Sequence, residues 1–266
     1  MLIILSLLLA LVIRLFMYNF YVVPSDSMTP AIIPGDFIIT NKLTYGARIF
    51  TNLKFDRNSD PPIFRMPGFR AIRRNDVIVF NFPYRNNHDT IRMNLEMIFI
   101  KRCIGLPGDS ISAIDGLYNI SGLADTPGYI PQQELLMQNR YILDSVILIA
   151  AAFDKSLKWN IVNFGPLYIP AAGQTIALTP KNVKLYRKQI VYETNSFNLS
   201  DSLNSFYTFR TNWYFVAGDN VMNSQDSRYI GLIPEDYIIG RASRTLSSKD
   251  IATGKRRWNR TLKRIK

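Results

Sequence analysis

In 266 residues the chain has one cysteine, Cys103, and one histidine, His88. A lone cysteine excludes an intramolecular disulfide, whatever the redox state of the compartment. One cysteine and one histidine are also too few for a Cys/His metal site. A Ser-His-Asp hydrolase would have to use His88. That residue stands in Arg85-Asn86-Asn87-His88-Asp89, a polar stretch that reads as a solvated turn between apolar segments. Acidic residues are scarce as well: 20 Asp and Glu against 32 Lys and Arg leave a net charge of +12. Such an excess suits a polyanionic partner, either nucleic acid or an anionic membrane surface. No helix-turn-helix or zinc-knuckle spacing is present, so nucleic acid is set aside. With 47% apolar and 20% charged residues, the chain has the composition of a folded protein.

What is present begins with an apolar N-terminus. Met1 to Ile13 carries no charge, Arg14 interrupts, and Leu15 to Val23 is again mostly apolar. A membrane span needs about 20 residues, and Leu2 to Val23 suffices if Arg14 snorkels to one interface. Tyr18, Phe20 and Tyr21 would then form an interfacial aromatic belt. A cleavable signal would want a basic start and a small-x-small site, and neither is found. Residues 1–23 are therefore expected to be an uncleaved transmembrane anchor, with the lipid bilayer as a partner.

Beyond residue 30, short apolar runs alternate with Gly/Pro turns and few amphipathic helical stretches occur, so the fold class is mostly β. Strands are expected over Phe37–Leu43, Val77–Phe82, Leu95–Ile104, Tyr214–Ala217 and Tyr237–Arg241. Residues 47–70 are Pro-rich and read as a loop. Residues 111–210, with short apolar runs such as Val146 to Ala152, read as a variable inserted subdomain, β-rich. The catalytic core would be split into residues 24–110 and 211–248. The tail, residues 249–266, has eight basic residues and one acid. It reads as a solvated charge run or as a segment that touches anionic lipid.

Three stretches carry the chemistry. The first is Pro24-Ser25-Asp26-Ser27-Met28-Thr29-Pro30, directly after the apolar N-terminus. The second is Phe99-Ile100-Lys101-Arg102-Cys103-Ile104-Gly105-Leu106-Pro107-Gly108-Asp109, a lysine embedded in a strand-like run. The third is Gly218-Asp219-Asn220, followed by Asn223-Ser224-Gln225-Asp226-Ser227-Arg228. A serine hydroxyl is a poor nucleophile until a base takes its proton. With histidine set aside, the base must be a carboxylate or a neutral lysine. An ordinary lysine titrates near pH 10.4, so at pH 7 only about one in a few thousand is neutral. Burial disfavours the charged form and can lower that value by the required two to three units. Met97 to Ile100 could wall Lys101 in, while strand alternation turns Arg102 to the other face.

Together, and in this order, the three stretches resemble type I signal peptidase, a membrane-bound Ser/Lys endopeptidase. The resemblance covers roughly residues 14–46, 73–110 and 214–243. It implies a coiled antiparallel-sheet core preceded by one transmembrane helix. The protein would sit in the bacterial plasma membrane as a single-pass protein, with its catalytic domain on the extracytoplasmic side. It implies cleavage of signal peptides from exported preproteins after small residues, of Ala-X-Ala type, with no metal or cofactor. Ser27 matches the nucleophile and Lys101 the general base. Ser25 matches the serine that joins the Ser27 N–H in the oxyanion hole. Ser224 matches the serine that orients the lysine, with Asp226 and Arg228 as a supporting pair. Tyr21, Val23, Pro24, Met28, Phe99 and Ile100 flank these positions and are candidates either for substrate-pocket walls or for core packing.

The sequence departs from the family at three sites near the chemistry. Asp26 stands where glycine is common between the serines. Asn75 replaces a turn glycine, a substitution that the left-handed conformation tolerates for asparagine. Val221-Met222 replaces an Arg-Asp pair that would brace the loop carrying Ser224. That last change leaves two outcomes open: a loop rebuilt with apolar contacts, or a catalytically impaired, membrane-tethered β-domain that binds signal peptides or other extended chains. A third reading, a soluble self-cleaving Ser/Lys repressor, does not fit the apolar N-terminus.

Overall fold

The computed structural model describes residues 2–52, 59–85, 88–139, 153–196 and 205–266. The apolar run Val146 to Ala152 lies outside the described residues. The strands are β1 (Tyr18–Val22), β2 (Asp36–Asn41), β3 (Arg48–Phe50), β4 (Ile63–Arg65), β5 (Val77–Phe82), β6 (Asn94–Gly105) and β7 (Ser110–Ile114). They continue as β8 (Leu117–Ile120), β9 (Phe164–Tyr168), β10 (Thr175–Ala177), β11 (Phe206–Thr208), β12 (Trp213–Ala217), β13 (Ile233–Pro234) and β14 (Ile238–Ser248). Helices are α1 (Leu2–Val12), α2 (Ile130–Gln138), α3 (Pro180–Thr194) and α4 (Ser227–Ile230). The main sheet has seven antiparallel strands in the order β1-β2-β14-β5-β6-β12-β13. The protein is mostly β.

The central strand β5 is buried at all six positions because both of its faces are covered. Alternation sends Ile78, Phe80 and Phe82 into one apolar cluster with Cys103, Trp213 and Phe215. Val77 and Val79 point into a second cluster with Val23, Met28, Ile32, Ile38 and Ile239. Strand β6 is 12 residues long and changes character along its length. Asn94 to Ile100 is half-exposed or exposed, whereas Lys101 to Gly105 is buried. Lys101 thus stands where the strand enters the core. Asn75, at φ +66°, takes the left-handed turn conformation just before β5.

The N-terminus differs from the expectation. Helix α1 has 11 residues and passes into a five-residue π-helical turn, Ile13–Met17. Their combined rise of under ~25 Å is short of a ~30 Å hydrocarbon core. No described helix is long and apolar enough to cross a membrane. Tyr18 to Val22, expected as the end of the span, is a sheet-edge strand paired with β2 from Tyr18↔Asn41 to Val22↔Phe37. Its apolar residues serve the sheet: Phe20 stacks on Phe37 with ring centroids 5.9 Å apart.

Three further expectations change. The 47–70 segment contains the short β3–β4 hairpin as well as loop. The 111–210 segment contains helices as well as strands. Helix α3 is capped by the Thr179 hydroxyl, which accepts from the Asn182 N–H, and starts with Pro180. It buries Val183, Tyr186 and Ile190 in the same cluster as Phe80 and Phe215. The basic tail is docked and is not a free charge run. Arg260 forks onto the fully buried Asp36 with contacts of 2.6, 3.0 and 3.2 Å, and Ile265 is buried in the second cluster.

Candidate active site

The loop after β1 is fixed by its flanks. The Val23 N–H donates to the Asp36 carbonyl at 2.9 Å, and the Gly35 N–H donates to the Val23 carbonyl at 2.8 Å. Beyond the serines, the Thr29 N–H donates to the Asp26 carbonyl and the Ile32 N–H to the Met28 carbonyl, each at 2.9 Å. Val23 and Met28 are buried and anchor the loop on either side. Between them Pro24 and Ser25 are exposed, Asp26 is half-buried and Ser27 is buried.

Lys101 reaches this loop from β6. Its Nζ lies 2.6 Å from Ser27 Oγ, across 74 residues of sequence. Lys101 is only 4% exposed. It is registered opposite Ile78, and its Nζ lies 5.3 Å from the centroid of the Phe99 ring. Burial therefore pushes its pKa down from the ordinary 10.5 to about 8. The Asp226, Asp219 and Asp26 carboxylates pull the other way, and the Arg228 guanidinium adds to the depression. Arg102 points away, as alternation requires. Its Nε and one Nη each contact an oxygen of Asp219 at 2.6 Å, and its other Nη donates to the Asn75 carbonyl at 2.8 Å. It thereby ties the end of β6 to the 218–220 segment.

The third stretch closes the site from β12. Gly218 leaves no room for a side chain: a Cβ there would lie 2.2 Å from Ser224 Oγ and 2.5 Å from the Ser27 carbonyl oxygen. The Gly218 N–H donates to Asp226 at 3.0 Å, and the Asn220 N–H donates to the Ser27 carbonyl at 3.0 Å. Asp226 and Arg228 are fully buried and paired through two contacts of 2.8 Å. The guanidinium holds the Asp226 carboxyl low against the burial that would raise it. The Arg228 Nη that contacts Asp226 also donates to the Val221 carbonyl at 2.8 Å, so the pair braces the loop between Asn220 and Ser224. Among the described residues the buried Ser224 hydroxyl makes no full hydrogen bond, and none to Lys101. It lies near enough to Asp226 to help lower that carboxyl.

Both departures beside the site have structural partners. Asp26 does not face open solvent. Asn223 Nδ2 donates to its two oxygens at 3.0 and 3.1 Å, and Asn220 Nδ2 to one of them at 3.2 Å. Val221 is buried with Leu136, Ile161 and Val162, with Met222 packed against them. The loop is thus rebuilt with apolar contacts supplied by α2 and the 161–162 segment. Neither partner set could be found from local sequence, because each lies far along the chain. Gly218, whose packing requires glycine, was visible only as a member of the G-D-N stretch.

The six flanking candidates separate by burial. Val23 and Met28 belong to the core, whereas Tyr21 and Ile100 are half-buried at its margin. Phe99 packs on the opposite cluster, and Pro24 is exposed. His88 is exposed, with its ring stacked on Tyr84 at 4.6 Å. Cys103 is buried, and burial raises its thiol pKa. Among the described residues, no three His, Cys, Asp or Glu side chains gather as metal ligands. The arrangement can do one thing directly: a buried lysine can exchange a proton with a serine held against it.

A family model described as signal peptidase, peptidase S26, matches residues 1–246. Signal peptidase I of Rickettsia typhi is 34% identical over 247 residues, covering 88% of this chain and 73% of that protein. Signal peptidase I of Buchnera aphidicola subsp. Baizongia pistaciae is 29% identical over 251 residues, covering 88% and 71%. A solved signal peptidase I from Enterococcus faecalis V583 is 21% identical with a TM-score of 0.32, covering 65% of this chain and 98% of that one. So loose a superposition adds nothing to the topology described above.

Proposed function

This chain belongs to the signal peptidase family, peptidase S26, and from that premise we propose that it removes N-terminal signal peptides from exported preproteins through a Ser27/Lys101 acyl-enzyme. The observation that carries this reading is the 2.6 Å contact between Lys101 Nζ and Ser27 Oγ, made by a lysine that burial brings to a pKa of about 8. At pH 7 about one such lysine in ten is neutral, against about one in a few thousand unperturbed. The neutral amine takes the Ser27 proton while Oγ attacks the scissile carbonyl. The Ser27 N–H and the Ser25 hydroxyl receive the developing oxyanion, and the loss of one such donor typically costs about 2.7–4 kcal/mol. The Lys101 ammonium then protonates the leaving amine. In deacylation neutral Lys101 takes a proton from water as its oxygen bonds to the acyl carbon, the ester bond to Oγ breaks, and the Lys101 ammonium returns the proton to Ser27 Oγ, releasing the acid product.

Ser224, Asp226 and Arg228 act as support. The buried ion pair fixes the loop, and Ser224 fills the space beside Gly218. Cleavage after small residues, of Ala-X-Ala type, is part of this proposal, with the half-buried Tyr21 and Ile100 and the exposed Pro24 as candidate substrate contacts. Helix α1 exposes its apolar side chains along its whole length, Leu2 at 80% and Leu11 at 51%. Contact with the bilayer would cover them. This supports a catalytic domain held at the extracytoplasmic face of a bacterial plasma membrane. A catalytically silent domain is the weaker reading, because the Val221-Met222 change that motivated it is accommodated by apolar packing.

The test is incubation of the purified protein, in neutral detergent, with a preprotein carrying Ala at the −1 and −3 positions. Mass measurement of the products should place a single cut after the −1 residue, absent with Ser27→Ala and with Lys101→Ala. A folded wild type that leaves the preprotein intact, or an undiminished cut by Ser27→Ala, would overturn the reading.

A further inference from the structure

A cavity of about 680 Å³ opens where the N-terminal helical segment meets the main sheet. Its size is that of a ligand pocket. Leu11, Leu15, Phe20 and Ile98 supply apolar lining, and Arg14 and Lys42 bring two cations to it. Leu11, Leu15 and Phe20 are each about half exposed, at 51%, 50% and 47%. Arg14 is the first charged residue after the apolar run that forms α1. The cavity thus joins uncovered apolar surface to positive charge at the point where that run ends.

Lys42 is built into this junction. Its backbone N–H donates to the Met17 carbonyl at 2.8 Å. Its Nζ donates to the Arg14 and Leu15 carbonyls at 2.7 and 3.0 Å, groups that a helix end leaves open. An ammonium has three N–H donors, so one remains for a ligand. Among the described residues neither Arg14 nor Lys42 forms an ion pair with a carboxylate side chain. Burial, together with the Arg48 and Arg14 guanidinium groups, lowers the Lys42 pKa from 10.5 to about 8. Arg48 itself donates to the Asn81 side chain and to the Asp236 carbonyl, each at 2.8 Å. The helix end offers only about half a negative charge in return. The junction is therefore left with an excess of positive charge.

We propose that this cavity holds one anionic phospholipid, its phosphate on Arg14 and Lys42 and an acyl chain against Leu11, Leu15 and Phe20. The proposal rests on the reading of α1 as a bilayer contact. A soluble anion would leave the apolar lining uncovered, and a zwitterionic headgroup would bring a further cation to the two already there. A basic side chain near an anionic headgroup contributes roughly fivefold in affinity. Loss of the Arg14 charge should therefore weaken binding about fivefold, and loss of both charges roughly twenty-fivefold.

The experiment uses the full chain in neutral detergent micelles doped with equal amounts of phosphatidylglycerol and phosphatidylcholine. Native mass spectrometry counts the lipid that the protein retains. Wild type should keep one phosphatidylglycerol in preference to phosphatidylcholine. Its dissociation constant, read from a phosphatidylglycerol titration, should rise about fivefold in Arg14→Gln and return to the wild-type value in Arg14→Lys. Both variants keep the Arg14 carbonyl, so the Lys42 contacts that hold the helix end are preserved. Equal retention of the two lipids by wild type, or an unchanged dissociation constant in Arg14→Gln, overturns the proposal. A signal peptide is the rival occupant of the apolar lining. Added in excess, it would displace the phosphatidylglycerol one for one, and that outcome also overturns the proposal. Flotation with phosphatidylcholine vesicles tests the underlying reading separately. Protein that does not float removes α1 from the bilayer, while the lipid retained from micelles still decides the cavity.

Discussion

Replacing Lys101 by methionine should abolish cleavage and make the protein more stable at neutral pH. Burial moves the lysine from its ordinary pKa of 10.5 to about 8, which corresponds to roughly 3 kcal/mol spent on holding the ammonium in the folded state. Methionine has a similar length and no charge, so that cost is relieved. The change also removes the 2.6 Å contact with Ser27, worth about 1 kcal/mol. The net gain is about 2 kcal/mol, or a Tm increase of roughly 4–8 °C for a chain of this size. The sign depends on pH. Below about 8 the lysine is protonated in both folded and unfolded states, and the full cost is present. Between about 8 and 10.5 the unfolded chain binds more protons, so wild-type stability rises with pH and the advantage of methionine shrinks. Thermal melts of both proteins at pH 7 and pH 10, in one detergent, test this directly. A methionine variant that melts below wild type at pH 7 would refute the reasoning, as would a difference that is the same at both pH values.

Asp26→Ala should cost about 1 kcal/mol through lost bonds to Asn220 and Asn223. It should also shift the acid limb of kcat/KM to lower pH, because the carboxylate favours the charged form of Lys101. An unmoved limb would separate Asp26 from the site. Arg260→Ala should leave the buried Asp36 without its cation and cost about 3–5 kcal/mol, read as a Tm lowered by more than roughly 6 °C. A change of under about 2 °C would show that the tail is not held by this pair. Gly218→Ala should reduce kcat at least tenfold, because its Cβ would collide with the Ser27 carbonyl and Ser224. Wild-type kcat in a folded variant would contradict the packing described.

The strands that carry the site were legible because their burial is local in origin. Val77–Phe82 is apolar except for Asn81 and forms the doubly covered β5 with the expected bounds. The strand around Lys101 is one residue longer than expected at each end, and the strand before Gly218 is one residue longer at its start. The meeting of Ser27 with Lys101 followed from family resemblance, since nothing in either stretch alone selects the other. Tyr18 to Val22 reads as membrane span in the sequence because its apolar residues continue the helix composition. Its pairing with β2 depends on a partner that composition cannot reveal. Helix α3 could have been found: Thr179 and Pro180 give a start signal, and Val183, Tyr186 and Ile190 recur at helical spacing. The tail could not, because it is fixed by Arg260 on Asp36, 224 residues away. Asp26 and Val221 were recognised as departures, but their compensation by Asn223 and by Leu136 and Ile161 is a tertiary fact.

The central claim is that a lysine made neutral by burial activates Ser27. The pH dependence of kcat/KM for a preprotein with Ala at −1 and −3, measured with wild-type protein from about pH 6 to 11, tests it most directly. Activity should rise with an apparent pKa near 8, the value to which burial brings Lys101. A rise centred near the ordinary lysine value of about 10.4 would contradict the desolvation of Lys101, and an unchanged profile in Lys101→Ala would remove the lysine from the reaction.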